Sequence, residues 1–131
     1  PYLSMLRSNY DFSSRSRTLL LQGARQSWDL GYRDELNALA EQHESFTYVP
    51  MISRPANEKE AWEGALGRIT SPFSDGSIET FLDRSLTPHK LSVFLCGNPD
   101  MIVELIESLS TKGFSEHSKK SPGNLIVEKY W

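Results

Sequence analysis

The sequence predicts an α/β fold, a parallel sheet with helices on both faces. Three observations carry this. Short apolar or β-rich runs recur at 18–24, 46–53, 91–96 and 124–130. Stretches with apolar residues at helical spacing lie between them, most clearly at 29–42 and after Asn98. Strands alternating with helices imply βαβ units. Finally, 131 residues with 38% hydrophobic and 24% charged residues suit one compact domain with a real core.

The elements follow in order. "YLSMLRSN" (2–9) places Tyr2, Leu3 and Leu6 at helical spacing, and Pro1 fits a first helical turn. "TLLLQGA" (18–24) is a short apolar run that reads as a buried strand. In 29–42, Leu30, Leu36, Leu39 and Ala40 line one helical face, and Gly31 predicts an irregular first turn. "FTYVPMIS" (46–53) is β-rich, but Pro50 cannot donate to a ladder, which predicts an edge or a bulge there. Residues 54–77 hold three glycines and two prolines and read as a long loop. A short helix is expected over 78–86 and a second clear strand over 91–96. Asn98 then caps a helix with Pro99 at its first position and Asp100 in its first turn. Met101, Ile102, Leu105 and Leu109 form its apolar face, and Gly113 stops it. Residues 115–123 are a polar loop with Lys119 and Lys120, and 124–130 is the last strand.

Composition excludes several function classes. The net charge of −3 carries no basic block of the kind that binds nucleic acid. No apolar run reaches membrane-spanning length. One cysteine, Cys96, rules out an internal disulfide framework and suits a reducing, cytoplasmic setting. His43, His89 and His117 are scattered, without metal-ligand spacing, and read as solvated surface residues. No metal site is expected.

In open parallel sheets ligands lie beyond the carboxyl ends of the strands, so the residues after each strand are the candidates. Arg25 follows the first strand, Ser53 and Arg54 the second, and Arg68 stands in the loop beyond. Arginine is a planar fork that pairs bidentately with phosphate, so three on one rim would hold a phosphate monoester. The competing reading is three unrelated surface arginines. Cys96 ends its strand, and Gly97 lets a ligand approach the backbone closely. The same cysteine also reads as a small core residue. Glu128 precedes Tyr130 and Trp131, which either close the core or cover something flat such as a cofactor ring.

Together these residues resemble the C-terminal half of the bacterial ferredoxin/flavodoxin–NADP+ reductase family. The resemblance is carried by "PYLSMLR" (1–7), "GARQSWDLGYRDEL" (23–36), "SR" (53–54), "GRIT" (67–70), "LCGNPDMI" (95–102) and "PGNLIVEKYW" (122–131), in the family's order along the whole chain. It implies a Rossmann-like NADP(H)-binding domain and hydride transfer between NADPH and FAD. It also implies single-electron transfer with ferredoxin or flavodoxin. By the same resemblance Arg25, Ser53, Arg54 and Arg68 bind the 2′-phosphate and adenosine, and Gly97, Asn98 and Pro99 belong to the cofactor-binding set. Cys96 and Glu128 stand beside the nicotinamide and the flavin N5, Tyr130 covers the isoalloxazine ring, and Trp131 lies near the FAD adenine.

The departures from the family are large. The FAD-binding barrel and the Gly-rich loop expected before "PYLSML" are not in residues 1–131. The sheet is therefore expected to lack its first, central strand. A segment of this kind is expected to be inactive by itself, with its terminal aromatics uncovered. The alternative is a non-redox nucleotide-binding or regulatory module on the same fold.

Overall fold

The computed structural model describes residues 2–8, 11–13 and 16–128. They group into two compact units, Pro1–Ile69 and Thr70–Trp131.

The first unit contains helix α1 (Tyr2–Ser8), strand β1 (Thr18–Ala24), helix α2 (Arg33–Gln42), strand β2 (Phe46–Ile52) and the two-residue strand β3 (Ala65–Leu66). The sheet order is β1-β2-β3, with both pairs parallel. β1 and β2 stay in register from Thr18↔Phe46 to Ala24↔Ile52. Alternation puts Leu20, Phe46 and Tyr48 on one face. Leu36, Leu39 and Ala40 of α2 pack there, with Leu3 and Leu6 of α1 and Phe12. α1 is held further by Arg7, whose Nε and Nη2 donate to the Glu35 carboxylate at 2.8 and 2.6 Å. The same guanidinium lies 5.3 Å from the centre of the Tyr32 ring.

Three expectations meet the structure here. β2 lies between β1 and β3 and is not bulged, since its register with β1 is unbroken, but at Pro50 its β3 side is open, the local edge expected there. Ser53 N–H points to β1, donating to Ala24 O, whereas Ile52 O points to β3, accepting from Gly67 N–H. Pro50 shares the parity of Ile52, and β3 starts only opposite Met51. The donor that proline lacks would meet no strand. The irregular start of α2 is a 3-10 turn at Ser27–Asp29, followed by Tyr32 with φ of 59°. His43 is not a free surface residue, because its ring stacks on Phe12 with centroids 4.1 Å apart.

The second unit contains the short helices α3 (Ser71–Asp75) and α4 (Ile78–Leu82), strand β4 (Val93–Cys96), helix α5 (Pro99–Ser110) and strand β5 (Leu125–Glu128). β4 and β5 pair in parallel from Val93↔Leu125 to Cys96↔Glu128. Ile102, Leu105 and Leu109 of α5 are buried, together with Phe73, Ile78, Leu95, Phe114 and Leu125. Each such side chain contributes roughly 1.5–3 kcal/mol through burial. α5 ends in a Schellman turn. Phe114 N–H donates to Leu109 O at 3.2 Å and Gly113 N–H to Ser110 O at 3.0 Å, with Gly113 at φ +90°. The region expected as one loop, 54–77, therefore also holds β3 and α3. Where the sequence predicts one sheet, the described strands form two hydrogen-bonded sheets, one in each unit. No helix among the described residues is long and apolar enough to cross a membrane.

Candidate functional site

In the first unit the strand register decides which side chains meet. Gly23, Met51 and Ala65 stand at one level of the sheet, and Ala24, Ile52 and Leu66 at the next. Arg25, Ser53 and Gly67 are the first residues past the carboxyl ends of their strands, and Arg54 and Arg68 follow. Hydrogen bonds carry the pairing beyond the strands: Arg54 N–H donates to Arg25 O at 2.9 Å, and Ser53 Oγ donates to Ala24 O at 3.3 Å. Gly23 lets the third segment close up, because a Cβ there would stand 3.1 Å from Ile69 Cβ. Arg25, Ser53, Arg54 and Arg68 are all exposed. Among the described residues the side chains of Arg25 and Arg54 enter no ion pair. The rim is thus a set of cationic forks on adjacent strand ends, suited to an oxyanion of phosphate type.

The sequence reading missed two features beside this rim. Trp28 and Tyr32, 57% and 63% exposed, flank a shallow groove of about 300 Å³ that Ser27 and Arg33 also line. Glu58 sends its carboxylate back to Ser27: Ser27 N–H donates to Oε1 at 2.7 Å and Ser27 Oγ to Oε2 at 2.6 Å. The exposed aromatics are visible as letters in "SWDLGY". The Glu58 contact spans 31 positions and has no local sequence signal.

In the second unit β4 and β5 end together, so Cys96 and Glu128 are Cα partners on adjacent strands. Cys96 is a free, half-buried thiol and Glu128 is exposed. Gly97 turns the chain at φ +142°, a conformation L side chains rarely adopt; a Cβ there would also stand 3.2 Å from Met101 Cε. Its lack of a side chain leaves bare backbone between the thiol and α5. Asn98 Oδ1 accepts from Asp100 N–H at 2.9 Å and Met101 N–H at 3.3 Å, and Pro99 opens the helix. Two of the candidate site residues, Tyr130 and Trp131, lie outside the described residues. Among the described residues no group of three or more His, Cys, Asp or Glu is arranged to hold a metal ion.

Comparison with known proteins adds the lineage. The chain is 29% identical over its whole length to a flavodoxin/ferredoxin–NADP reductase of Buchnera aphidicola, covering 52% of that protein. It is 27% identical to ferredoxin–NADP reductase A of Sorangium cellulosum, over 98% of this chain and 48% of that protein. A crystal structure of a ferredoxin NADP+ reductase from Neisseria gonorrhoeae with bound FAD and NADP superposes with a TM-score of 0.81. The identity there is 30%, over 97% of this chain and 50% of the other. The chain thus spans about half the length of the relatives it matches. The family model described as the oxidoreductase NAD-binding domain matches residues 1–105, and the chain belongs to that family.

Proposed function

We propose that this chain is the NADP(H)-binding half of a flavin-dependent ferredoxin/flavodoxin–NADP+ reductase working in the cytoplasm. The observation that carries it is the arginine rim: Arg25 and Arg54 project from strand ends tied together by a backbone hydrogen bond, and no acid pairs with them among the described residues. That donor set fits a dianionic 2′-phosphate, which separates NADP(H) from NAD(H). Ser53 and Arg68 extend the same rim.

The strand ends of the second unit fit the nicotinamide end of the coenzyme. Gly97, Asn98 and Pro99 offer exposed backbone on which a planar amide can lie. Cys96 packs beside the ring, and Glu128 orients groups at its edge through its carboxylate. When bound, the nicotinamide and flavin rings supply the hydride chemistry. This chain's residues bind, orient and exclude water. Tyr130 and Trp131 would hold the flavin, Tyr130 by covering its ring. Among the described residues β1 has a strand on one side only, and Leu19, Leu20 and Leu21 are half-buried. That open apolar edge supports pairing with a further strand in the whole protein.

Calorimetric titration with 2′,5′-ADP and with 5′-AMP tests the nucleotide reading, since the two differ only in the 2′-phosphate. Wild type is expected to prefer 2′,5′-ADP, and Arg54→Ala to weaken it about tenfold or more while 5′-AMP changes little. Equal affinity for both ligands would overturn the NADP(H) assignment. Flavin absorbance of the full protein, and its bleaching by NADPH, tests the redox half. A full protein that binds 2′,5′-ADP but holds no flavin would be a non-redox module.

A further inference from the structure

Two ties join the segment after β1 to the segment after β2. One is the backbone bond from Arg54 N–H to Arg25 O. The other is the double contact in which Ser27 N–H and Oγ each donate to one oxygen of the Glu58 carboxylate. The second is the shorter: its distances are 2.7 and 2.6 Å against 2.9 Å, and it is partly buried. Hydrogen bonds to an ionised acceptor are roughly twice as strong as neutral ones. A turn at Pro55–Asn57 delivers Glu58 to this position: Asn57 N–H donates to Arg54 O and Glu58 N–H to Pro55 O. Ser27 lies two residues after Arg25, and Glu58 four after Arg54. The contact therefore closes a ring of backbone whose opposite side is the Arg25–Arg54 bond.

The ring does two things. It fixes the spacing of two arginine-bearing backbones that are otherwise exposed loop. It also turns both oxygens of Glu58 towards Ser27, and among the described residues Glu58 forms no ion pair with Arg25 or Arg54.

We propose that Glu58, acting through Ser27, is a positioning residue that sets selectivity for 2′-phosphorylated nucleotides. This rests on the assignment of Arg25 and Arg54 to the 2′-phosphate. The ligand itself touches neither Glu58 nor the Ser27 hydroxyl; selectivity comes from how they hold the arginines.

The test titrates 2′,5′-ADP and 5′-AMP against full-length wild type, Glu58→Ala, Ser27→Ala, Ser27→Thr and Arg54→Ala. Glu58→Ala is expected to weaken 2′,5′-ADP about fivefold and leave 5′-AMP unchanged, within the range for coupled neighbours. Ser27→Ala follows with a smaller loss and serves in its place if Glu58→Ala does not fold. Ser27→Thr keeps the hydroxyl and retains wild-type selectivity. Equal weakening of both ligands by Glu58→Ala would mean a merely structural contact and would overturn the proposal. So would an unchanged 2′,5′-ADP affinity in Glu58→Ala while Arg54→Ala still loses it. If wild type itself shows no preference for 2′,5′-ADP, the arginine assignment fails first and this proposal with it.

Discussion

At the residue scale, Tyr48 shows how burial sets a proton. Its hydroxyl donates to Gln22 Oε1 at 2.5 Å, and Gln22 Nε2 donates in turn to Gly31 O at 3.0 Å. The residue is 8% exposed, and burial pushes its phenol up to about 12, with Arg33 pulling the other way. The unfolded chain titrates near pH 10. Between those values the unfolded state has lost the proton and the folded state has kept it. The stabilisation is therefore complete below about pH 10 and is lost as pH rises towards 12. Guanidinium unfolding at pH 9, 10 and 11 should show stability falling with pH, and Tyr48→Phe should flatten that slope. An unchanged slope would place the titration elsewhere. Tyr48 and Gln22 are both plain letters in β-rich runs; only the strand register, Leu20↔Tyr48 beside Gln22↔Pro50, brings them together. The same holds for the site. The positions of Arg25, Arg54 and Arg68 just past strand ends were legible, because the strands are readable from the sequence. The Glu58 contact was not, because its partner lies 31 positions away.

At the element scale, α5 was the most legible piece, since all of its signals are local. Asn98, Pro99 and Asp100 mark its start, four apolar residues mark its face, and Gly113 marks its stop. Asn98→Ala should cost about 1 kcal/mol in chemical denaturation by removing the acceptor for two amide groups. Asn98→Asp should recover most of that loss, because an aspartate both accepts these bonds and favours the positive helix end. If Asn98→Ala matches wild type, water caps the helix instead. The elements missed in 54–77 were missed for physical reasons. β3 is two residues long, too short for any alternation to register, and exists only because β2 offers Met51 and Ile52 as partners. α3 is a single turn with Pro72 near its start and Gly76, at φ +83°, at its end. Proline and glycine there were read as loop signals, although the same two residues at the same two places are also helix boundaries. Pro50 does stand at a local edge, because β3 begins only opposite Met51, and the missing donor matters only on the side its N–H would face.

At the scale of the whole molecule, charge separates local from global electrostatics. The chain carries 17 acidic and 14 basic residues, a net charge of −3, so its average field repels a phosphate. On the proposed reading, affinity for a 2′-phosphate comes from the arginine rim at short range. Short-range attraction between exposed charges is screened by salt, with a Debye length of about 10 Å at 0.1 M and about 3 Å at 1 M. Affinity for 2′,5′-ADP should accordingly fall steeply from low salt to 0.5 M, and affinity for 5′-AMP much less. The proton works in the same direction. A phosphate monoester loses its second charge as pH falls through about 6, so preference for 2′,5′-ADP should shrink between pH 7 and pH 5. In Arg54→Ala both dependences should flatten together, because the same guanidinium carries them. Calorimetry across a salt series at pH 7, repeated at pH 5, checks this. Parallel salt curves for the two ligands would show that the 2′-phosphate is held by neutral donors, and that the exposed arginines at the strand ends do not select the coenzyme.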